Sequence, residues 1–461
     1  MKTDYLIIGC GASSMSFLDT MLAETDATFV IVDKRDAPGG HWNDAYPFVR
    51  LHQPSRYYGV ASRPLGRDKI NESGPNAGFF ELASGTEVLA YFHTLMEEVY
   101  LASGRVTWLP MTEWRDDDEV VVNLMTGVEI PVEVDKAVVD GRRIGTEIPL
   151  TYKRRFKVAE NVKCIPPNDL PRHAAGRSAF VVIGAGKTAM DSVLWLLRHG
   201  GDPDNITWVR PRDAWLLNRR RSQPGIEFFD DMFGGVARQM EILSEVEDLE
   251  QLGKALEAEG IWLRLDKTCT PEMMHMAVTS EGEVEALASV SNVVRMGHVT
   301  QIEAGRLVFQ QGDFAIPTDA LIIDCAASAA AANVTDRAPV FSDGRINLQM
   351  IRMTQPTFSA AVIAHLEATV QDDEVKRAAT QVAPMIDTVT DWVDRRLTTI
   401  MNEARWKEIE GMPDWLGSCR LNAPAHALSA LDPADEDKVA ILNRIGAATP
   451  LACENMRRLL A

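Results

Sequence analysis

Tyr5-Leu-Ile-Ile-Gly9-Cys10-Gly11-Ala12-Ser13-Ser14 decides the fold, and the chain holds a second stretch of the same kind, Phe180-Val-Val-Ile-Gly184-Ala185-Gly186-Lys187-Thr188-Ala189. In each, an apolar strand ends in Gly-x-Gly and an apolar-periodic helix follows. A dinucleotide's pyrophosphate sits at such a helix N-terminus, where orphan N–H groups and the helix dipole favour negative charge. One loop of this kind is a modest hint. Two in one chain imply two nucleotides, and two nucleotides with redox heads imply electron transfer between them.

Working outward from the first loop, residues 4–9 read as a strand. Residues 14–23 read as a helix with Met15, Leu18 and Leu22 on one face, and Phe29–Val32 as the next strand, a βαβ unit. Gly9 allows the tight turn and Gly11 lets a phosphate approach the backbone, with Ala12 and Ser13 completing the loop. Ser14 stands where a third glycine usually packs helix on strand. Asp33, 24 residues beyond Gly9 and followed by Lys34, ends the second strand. A carboxylate there accepts hydrogen bonds from an adenosine ribose and repels a 2′-phosphate, so this loop suits FAD or NAD rather than NADP. The bland alternative is a structural glycine turn.

The second unit runs from Ala179 to Arg210, with Ala189, Val193, Leu196 and Leu197 on one helix face. Alanine at the third position of the loop commonly accompanies NADP. The strand Ile206–Val209 ends in Arg210, with Arg212 two residues on. An arginine at that edge pairs with a 2′-phosphate, so the site formed by Gly184, Gly186, Lys187, Thr188, Ala189, Arg210 and Arg212 reads as NADPH. A kinase P-loop would need glycine at position 181, which is Val. Arg219-Arg220-Arg221 either reaches cofactor phosphates or forms a solvated basic turn.

The chain has 461 residues and a formal net charge of -19. That charge argues against nucleic acid or an anionic membrane surface as a partner. No apolar run is long enough to span a bilayer, and the N-terminal apolar stretch runs straight into the glycine loop rather than a cleavage site. The six cysteines (10, 164, 269, 325, 419, 453) form no Cys-x-x-Cys pair. This excludes the redox-active disulfide of flavin disulfide reductases and suits a reducing cytoplasm. No metal-spaced His/Cys set stands out.

Residues 105–140 read as a β-meander (Val106–Leu109, Glu119–Leu124, Val128–Val134, Lys136–Asp140). Residues 142–178, with Pro149, Pro166, Pro167 and Pro171, read as a crossing. Residues 226–285 read as a charged helical insertion or lid. Residues 291–325 repeat the meander (Val293–Val299, Arg306–Phe309, Phe314–Pro317, Ala320–Asp324). This echo predicts that the second dinucleotide unit, 143–317, is inserted within the first, 1–142 and 318–461. The tail from about 356 reads as helical and acidic, with Trp392, Trp406 and Trp415, forming an extension from about 370. Ala326–Ala332 is alanine-rich but short.

Asp33-Lys34-Arg-Asp-Ala-Pro-Gly39-Gly40-His41-Trp42 resembles the Gly-Gly-x-Trp segment of the class B flavoprotein monooxygenases, the flavin-containing and Baeyer–Villiger monooxygenases. Gly39-Gly40 would let backbone pass close to the flavin's phosphate and ribityl arm, and Trp42 would cover the ring region. Tyr46-Pro-Phe-Val-Arg50-Leu-His52-Gln53-Pro-Ser55-Arg56 is similar to that family's Thr-Asn-x-Ser-Lys segment. His52, Gln53, Ser55 and Arg56 match its four named positions, and Gln53 replaces the asparagine beside flavin C4a. Ordinary polar packing under a loop is the alternative for His41, His52 and Gln53. Ala320-Leu-Ile-Ile-Asp324-Cys325-Ala326 resembles the strand that returns the chain to the flavin. The helix after Gln355-Pro356, with Thr357 or Ser359 as its cap, would point at the flavin's pyrimidine edge. The bland alternative there is a capped core helix.

The resemblance covers roughly 1–60, 179–212 and 318–370. It implies an α/β fold with two Rossmann-like dinucleotide-binding domains, for FAD and NADPH, each with a β-meander, plus a helical C-terminal region. Two departures stand out. Asn161–Leu170 replaces the family fingerprint before the second loop, and Val139-Asp140-Gly141 and Asp324-Cys325-Ala326 replace its Ala-Thr-Gly returns. They touch the oxygen chemistry more than cofactor binding. The implied activity is NADPH-dependent oxygen insertion into a small organic substrate from O2 through a flavin C4a-(hydro)peroxide, with Gln53, His52 and His41 as catalytic candidates. The alternatives are an NADPH oxidase or reductase without oxygen insertion, and a flavin-bound sensor or scaffold whose Trp-bearing helices bind a protein. A homo-oligomer is compatible with either class.

Overall fold

The computed structural model describes residues 1–328 and 337–461. The expected alanine run falls partly at 329–332, outside them. The chain opens with β1 (Lys2–Ile8), α1 (Ala12–Glu24) and β2 (Phe29–Val32). β2 pairs in parallel with β1 and with β3 (Val106–Leu109), and β1 pairs in parallel with β4 (Glu133–Asp140). Between β3 and β4 the chain forms a three-stranded antiparallel sheet from Thr112–Arg115, Val120–Asn123 and Glu129–Ile130. The meander is therefore shorter than expected. Its outer members, Val106–Leu109 and Lys136–Asp140, belong to the parallel sheet, pairing with β2 and β1.

A second parallel sheet repeats this plan with β5 (Cys164–Ile165), β6 (Phe180–Ile183), β7 (Ile206–Val209), β8 (Val293–Val294) and β9 (Leu321–Asp324), in the order β8-β7-β6-β9-β5. A second antiparallel meander, Val299–Glu303, Arg306–Phe309 and Gly312–Ala315, lies between β8 and β9. β9 is the strand expected to return to the flavin. Instead it pairs with β6, Ile183 opposite Asp324, so the boundary expected at 318 falls inside the second sheet. The return to the first sheet comes later, at β10 (Phe341–Ser342) and β11 (Arg345–Asn347), where Ile346 aligns with Val139 of β4.

The two sheets are filled alike. Successive strand residues point to opposite faces. Tyr5, Ile7, Phe29 and Ile31 face a core shared with Phe17, Leu18 and Phe358, while Leu6, Ile8, Val30 and Val32 face Trp114 and Val121 of the first meander. Phe180 and Val182 likewise face Met190 and Val193, and Val181 and Ile183 face Ile302 and Leu307 of the second meander.

The segment 226–285 differs from a charged lid. After α2 (Gly235–Glu245) and the helix Leu249–Ala258 it turns to strand. Trp262–Leu263 and Met273–Thr279 flank Ala214–Asn218 in a third sheet. Trp215, Trp262 and Met274 of this unit share a core with Trp392, Cys453 and Met456 of the C-terminal helices. Trp392 meets Trp262 edge-on at 5.0 Å, and Trp406 meets Phe358 at 6.0 Å. Two of the three tail tryptophans thus serve packing rather than a docking surface.

Candidate functional site

At the first loop, Gly9 adopts φ +87°, which favours glycine. Gly11 is the N-cap of α1 and no side chain caps that helix, so its first-turn N–H groups remain available to an anion. Gly40, at φ +57°, lies against it: a Cβ there would stand 2.9 Å from the Gly11 Cα. The Gly39 N–H also bonds the Cys10 carbonyl at 2.8 Å. The sequence-distant Gly-Gly pair therefore forms one wall of the loop. Ala12 and Ser13 continue into α1, and Ser14 is buried against Gly141 at the end of β4. The small partner for the third position is thus supplied by the opposite strand.

Asp33 is buried at the end of β2. Its Oδ2 accepts from the Cys10 N–H at 2.6 Å and its Oδ1 from the Arg35 N–H at 2.8 Å. A carboxylate has about four lone-pair sites, so acceptor capacity remains for a ribose. Lys34 turns away instead, to Glu113 of the meander at 3.2 Å. Trp42 is 8% exposed, with its indole N–H on the Tyr58 hydroxyl at 2.7 Å. It packs in the first core, while its neighbour His41 is exposed.

At the second loop, Gly184 has φ +131°, and a Cβ would stand 2.5 Å from the Cys325 carbonyl oxygen. The Trp208 indole N–H holds the Gly184 carbonyl at 2.8 Å. Gly186 is the N-cap of α3 (Lys187–Arg198), again without a side-chain cap, and nothing lies within 4 Å of its Cβ position. Ala189 is fully buried, as third-position packing requires. Arg210 is only 3% exposed, with its guanidinium 4.8 Å from the Trp208 ring centre and 3.4 Å from Asp213. Arg212 is exposed. Of the two arginines, the second is the accessible one.

Two further candidates stand on the second sheet and in the tail helix. Asp324 ends β9 in the second sheet, accepting from the Tyr152 hydroxyl at 2.5 Å and pairing with Arg154 at 2.9 Å. Ser359 is fully buried in α4 (Pro356–Thr369), where its Oγ accepts from the Ile351 and Arg352 N–H groups at 3.2 Å. Neither it nor Thr357 caps the helix; Gln355 is the N-cap residue. Even so, α4 begins beside α1, since Ser16 Oγ donates to the Thr357 carbonyl at 2.7 Å.

The segment Tyr46–Gln53 joins the two loops. The Tyr46 hydroxyl donates to Asp191 of α3 at 2.7 Å, Lys187 pairs with the same carboxylate, and Phe48 lies 5.6 Å from Trp195. His52 and Gln53 are half-buried in this junction. Arg219 donates to the His52 carbonyl and to Val278 O and Glu283, the latter two at 2.9 Å. Burial, then the charges of Lys187 and Arg219, push the His52 imidazole well below its ordinary pKa, so it is neutral. Burial would raise Glu283, but Arg219 and Lys187 bring it to about 2. Arg219, with a side chain 0% exposed, is therefore neither a phosphate ligand nor a solvated turn but a buried pin between the two parts. Tyr46, Asp191 and Glu283 escaped the sequence reading. The basic run was its only signal.

No family model matches the chain. Proteins of Mycobacterium tuberculosis (strain ATCC 25618 / H37Rv) and Mycobacterium bovis, both described as uncharacterized, are 40% identical to it over 431 residues, covering 94% of this chain and 79% of each relative. Among solved structures, an oxidized steroid monooxygenase bound to NADP is similar at a TM-score of 0.50 and 12% identity, covering 100% of this chain and 98% of that one. A flavin monooxygenase from Stenotrophomonas maltophilia is similar at a TM-score of 0.45 and 15% identity, covering 80% and 99%. At such identities the likeness speaks to the fold alone, which is similar to that of the steroid monooxygenase.

Proposed function

This chain belongs to one family with the two mycobacterial proteins, and we propose that it is an FAD- and NADPH-dependent oxidoreductase that inserts oxygen into a small organic molecule. The observation that carries this reading is the pairing of two uncapped glycine N-termini, Gly11 and Gly186, across one junction segment. Each cradle fits a pyrophosphate: first-turn N–H groups are free of side-chain caps, and the Gly186 approach is open. FAD at the first loop and NADPH at the second would supply redox chemistry that no side chain here provides.

The chain's own residues bind, orient and exclude water. Asp33 would hold the adenosine ribose of FAD at the end of β2. Arg212 would meet the 2′-phosphate, while Arg210, stacked on Trp208 and close to Asp213, fixes the strand end from which Arg212 projects. His52 and Gln53, half-buried at the junction, would face the reacting ring with uncharged polar groups. Removing water there strengthens every such contact.

The test is FAD-loaded protein supplied with NADPH, O2 enriched in oxygen-18, and in turn cyclohexanone, a steroid ketone, octanoate and phenylacetate as probes. Label in the product, with less H2O2 per NADPH when substrate is present, supports insertion. Full conversion of NADPH electrons to H2O2 with each probe would favour an oxidase. Failure to retain FAD would remove the reading altogether.

A further inference from the structure

Away from both glycine loops, a set of polar atoms without partners surrounds Arg352, in the turn that leads into α4. Gln355, the N-cap residue of that helix, has a buried Oε1 with no hydrogen bond. Tyr57, 3% exposed and four residues beyond Gln53, has a buried hydroxyl with none. The charges of Arg56, Arg352 and Glu227 act on that hydroxyl. Thr354 adopts φ +64°, a conformation that a β-branched residue takes only when its surroundings impose it.

The helix α5 (Val389–Trp406) forms the opposite wall. Thr399 Oγ1 accepts from the Met353 N–H at 3.0 Å, and Glu403 pairs with Arg352 at 2.9 Å. Residues spaced three and seven apart share a helix face. Arg396 therefore lies on the face that carries Thr399 and Glu403, one turn before Thr399. Among the described residues it has no hydrogen bond or ion pair, and its Nε is buried. The Arg396 guanidinium is half-buried, feels the Glu403 charge without a hydrogen bond to it, and presents N–H donors that an anion would complete.

We propose that Arg396 and Arg352, with the Tyr57 hydroxyl, bind the anionic end of the substrate, and that the substrate is an organic carboxylate. This rests on the flavoenzyme reading above. Glu403 already meets the charge of Arg352, which leaves the one charge of Arg396. One positive charge matches a carboxylate better than a dianionic phosphate. The location suits a substrate subsite, because α4 starts beside α1 and Tyr57 follows the junction segment directly.

Calorimetric titration of the FAD-loaded enzyme, without NADPH, tests this with octanoate and phenylacetate against octanamide and phenylacetamide. The carboxylates should bind at least about tenfold tighter than the amides. Arg396→Met should weaken carboxylate binding about 10- to 100-fold, with Arg396→Lys between the two and FAD content unchanged. Equal binding of acid and amide, no carboxylate binding, or no effect of Arg396→Met would overturn the proposal. Loss of FAD in Arg396→Met would overturn it by assigning the arginine to the cofactor. Because no oxygen chemistry enters the titration, a failed oxygen-18 experiment leaves its result standing.

Discussion

Gly141→Ala probes the first phosphate cradle from behind. The Gly141 N–H bonds the Ile8 carbonyl at 2.9 Å, so its backbone cannot retreat from β1 without losing that bond. A Cβ at 141 would overlap Ser14 Oγ, lie 3.4 Å from Ser14 Cβ and stand 2.9 Å from Ile8 O. The Ser14 side chain can escape by changing rotamer, whereas the strand carbonyl cannot. Overpacking of this kind costs about 1–3 kcal/mol. For a unit of roughly 150–250 residues that lowers the melting temperature by about 2–4 °C per kcal/mol. Ser14→Ala removes a buried hydroxyl that has no partner, so alone it should stabilise, by up to about 1–3 kcal/mol. In the double variant only the Ile8 contact remains tight, and the loss should shrink by about 1 kcal/mol beyond additivity. The assay is thermal release of FAD read by flavin fluorescence, which reports the first loop even if the chain unfolds in stages. A Gly141→Ala protein that releases FAD at the parent temperature, or a double variant whose shift is the plain sum of the singles, would refute the account of Ser14.

Arg212→Ala should raise the NADPH KM about tenfold and leave the NADH KM within about twofold, since an exposed arginine contributes less than a buried one to a phosphate pair; equal effects on both nucleotides would sink the 2′-phosphate assignment. Arg219→Met should destabilise by about 3–5 kcal/mol in chemical denaturation, because it strands Glu283 without its buried partner. The pH dependence follows from the same pair: the depressed Glu283 contributes stability above its unfolded pKa of about 4.3, lost as pH falls toward about 2. In Arg219→Met the Glu283 pKa is less depressed, so that acid-side loss should shrink; an unchanged acid titration would contradict it. Trp392→Ala should cost about 3–5 kcal/mol by emptying the edge-on contact with Trp262, and limited proteolysis should then cut between 226 and 290 before it cuts the first sheet.

The sequence was most readable where structure is local. Gly9, Gly11, Gly184, Gly186 and Asp33 stand at strand ends and helix starts as the spacing predicts, because those positions are fixed by a few consecutive residues. Sheet membership was not local. Leu321–Asp324 and Val106–Leu109 are short, mostly apolar stretches like many others, and only pairing with strands far along the chain assigns them. Burial of polar groups was equally hidden. Ser359 reads as a cap and Arg219 as a surface cation, yet one bonds two backbone N–H groups in the core and the other bridges His52 and Glu283. In both cases the partner is a backbone atom or an acid that sequence spacing does not reveal. Trp42 was equally hidden: its N–H finds the Tyr58 hydroxyl inside the core, a partner that spacing does not reveal.

The same non-local contacts bear on how the two sheets work together. The C-terminal helix Glu436–Leu460 is fastened to α2 of the inserted unit, through Asn455 to the Leu243 and Val246 carbonyls at 2.9 and 2.8 Å and through Arg444 to Glu241 at 2.7 Å. The helix α4 of the same tail packs on α1, and Trp415, stacked on His365 of α4, reaches Glu24 at 2.7 Å. Arg420 adds a clamp on the carbonyls of Arg56, Tyr58 and Val60. The tail therefore grips the first sheet's helices at one end and the inserted unit at the other. To swing the second loop away from the first, the chain would have to part Trp262 from Trp392 as well as Tyr46 from Asp191. Tryptophan packing of that kind is worth several kcal/mol, and the part-buried Tyr46–Asp191 bond adds to it. The tail, which carries neither glycine loop, thus sets the distance between the two cradles, and with it whether one nucleotide can reduce the other.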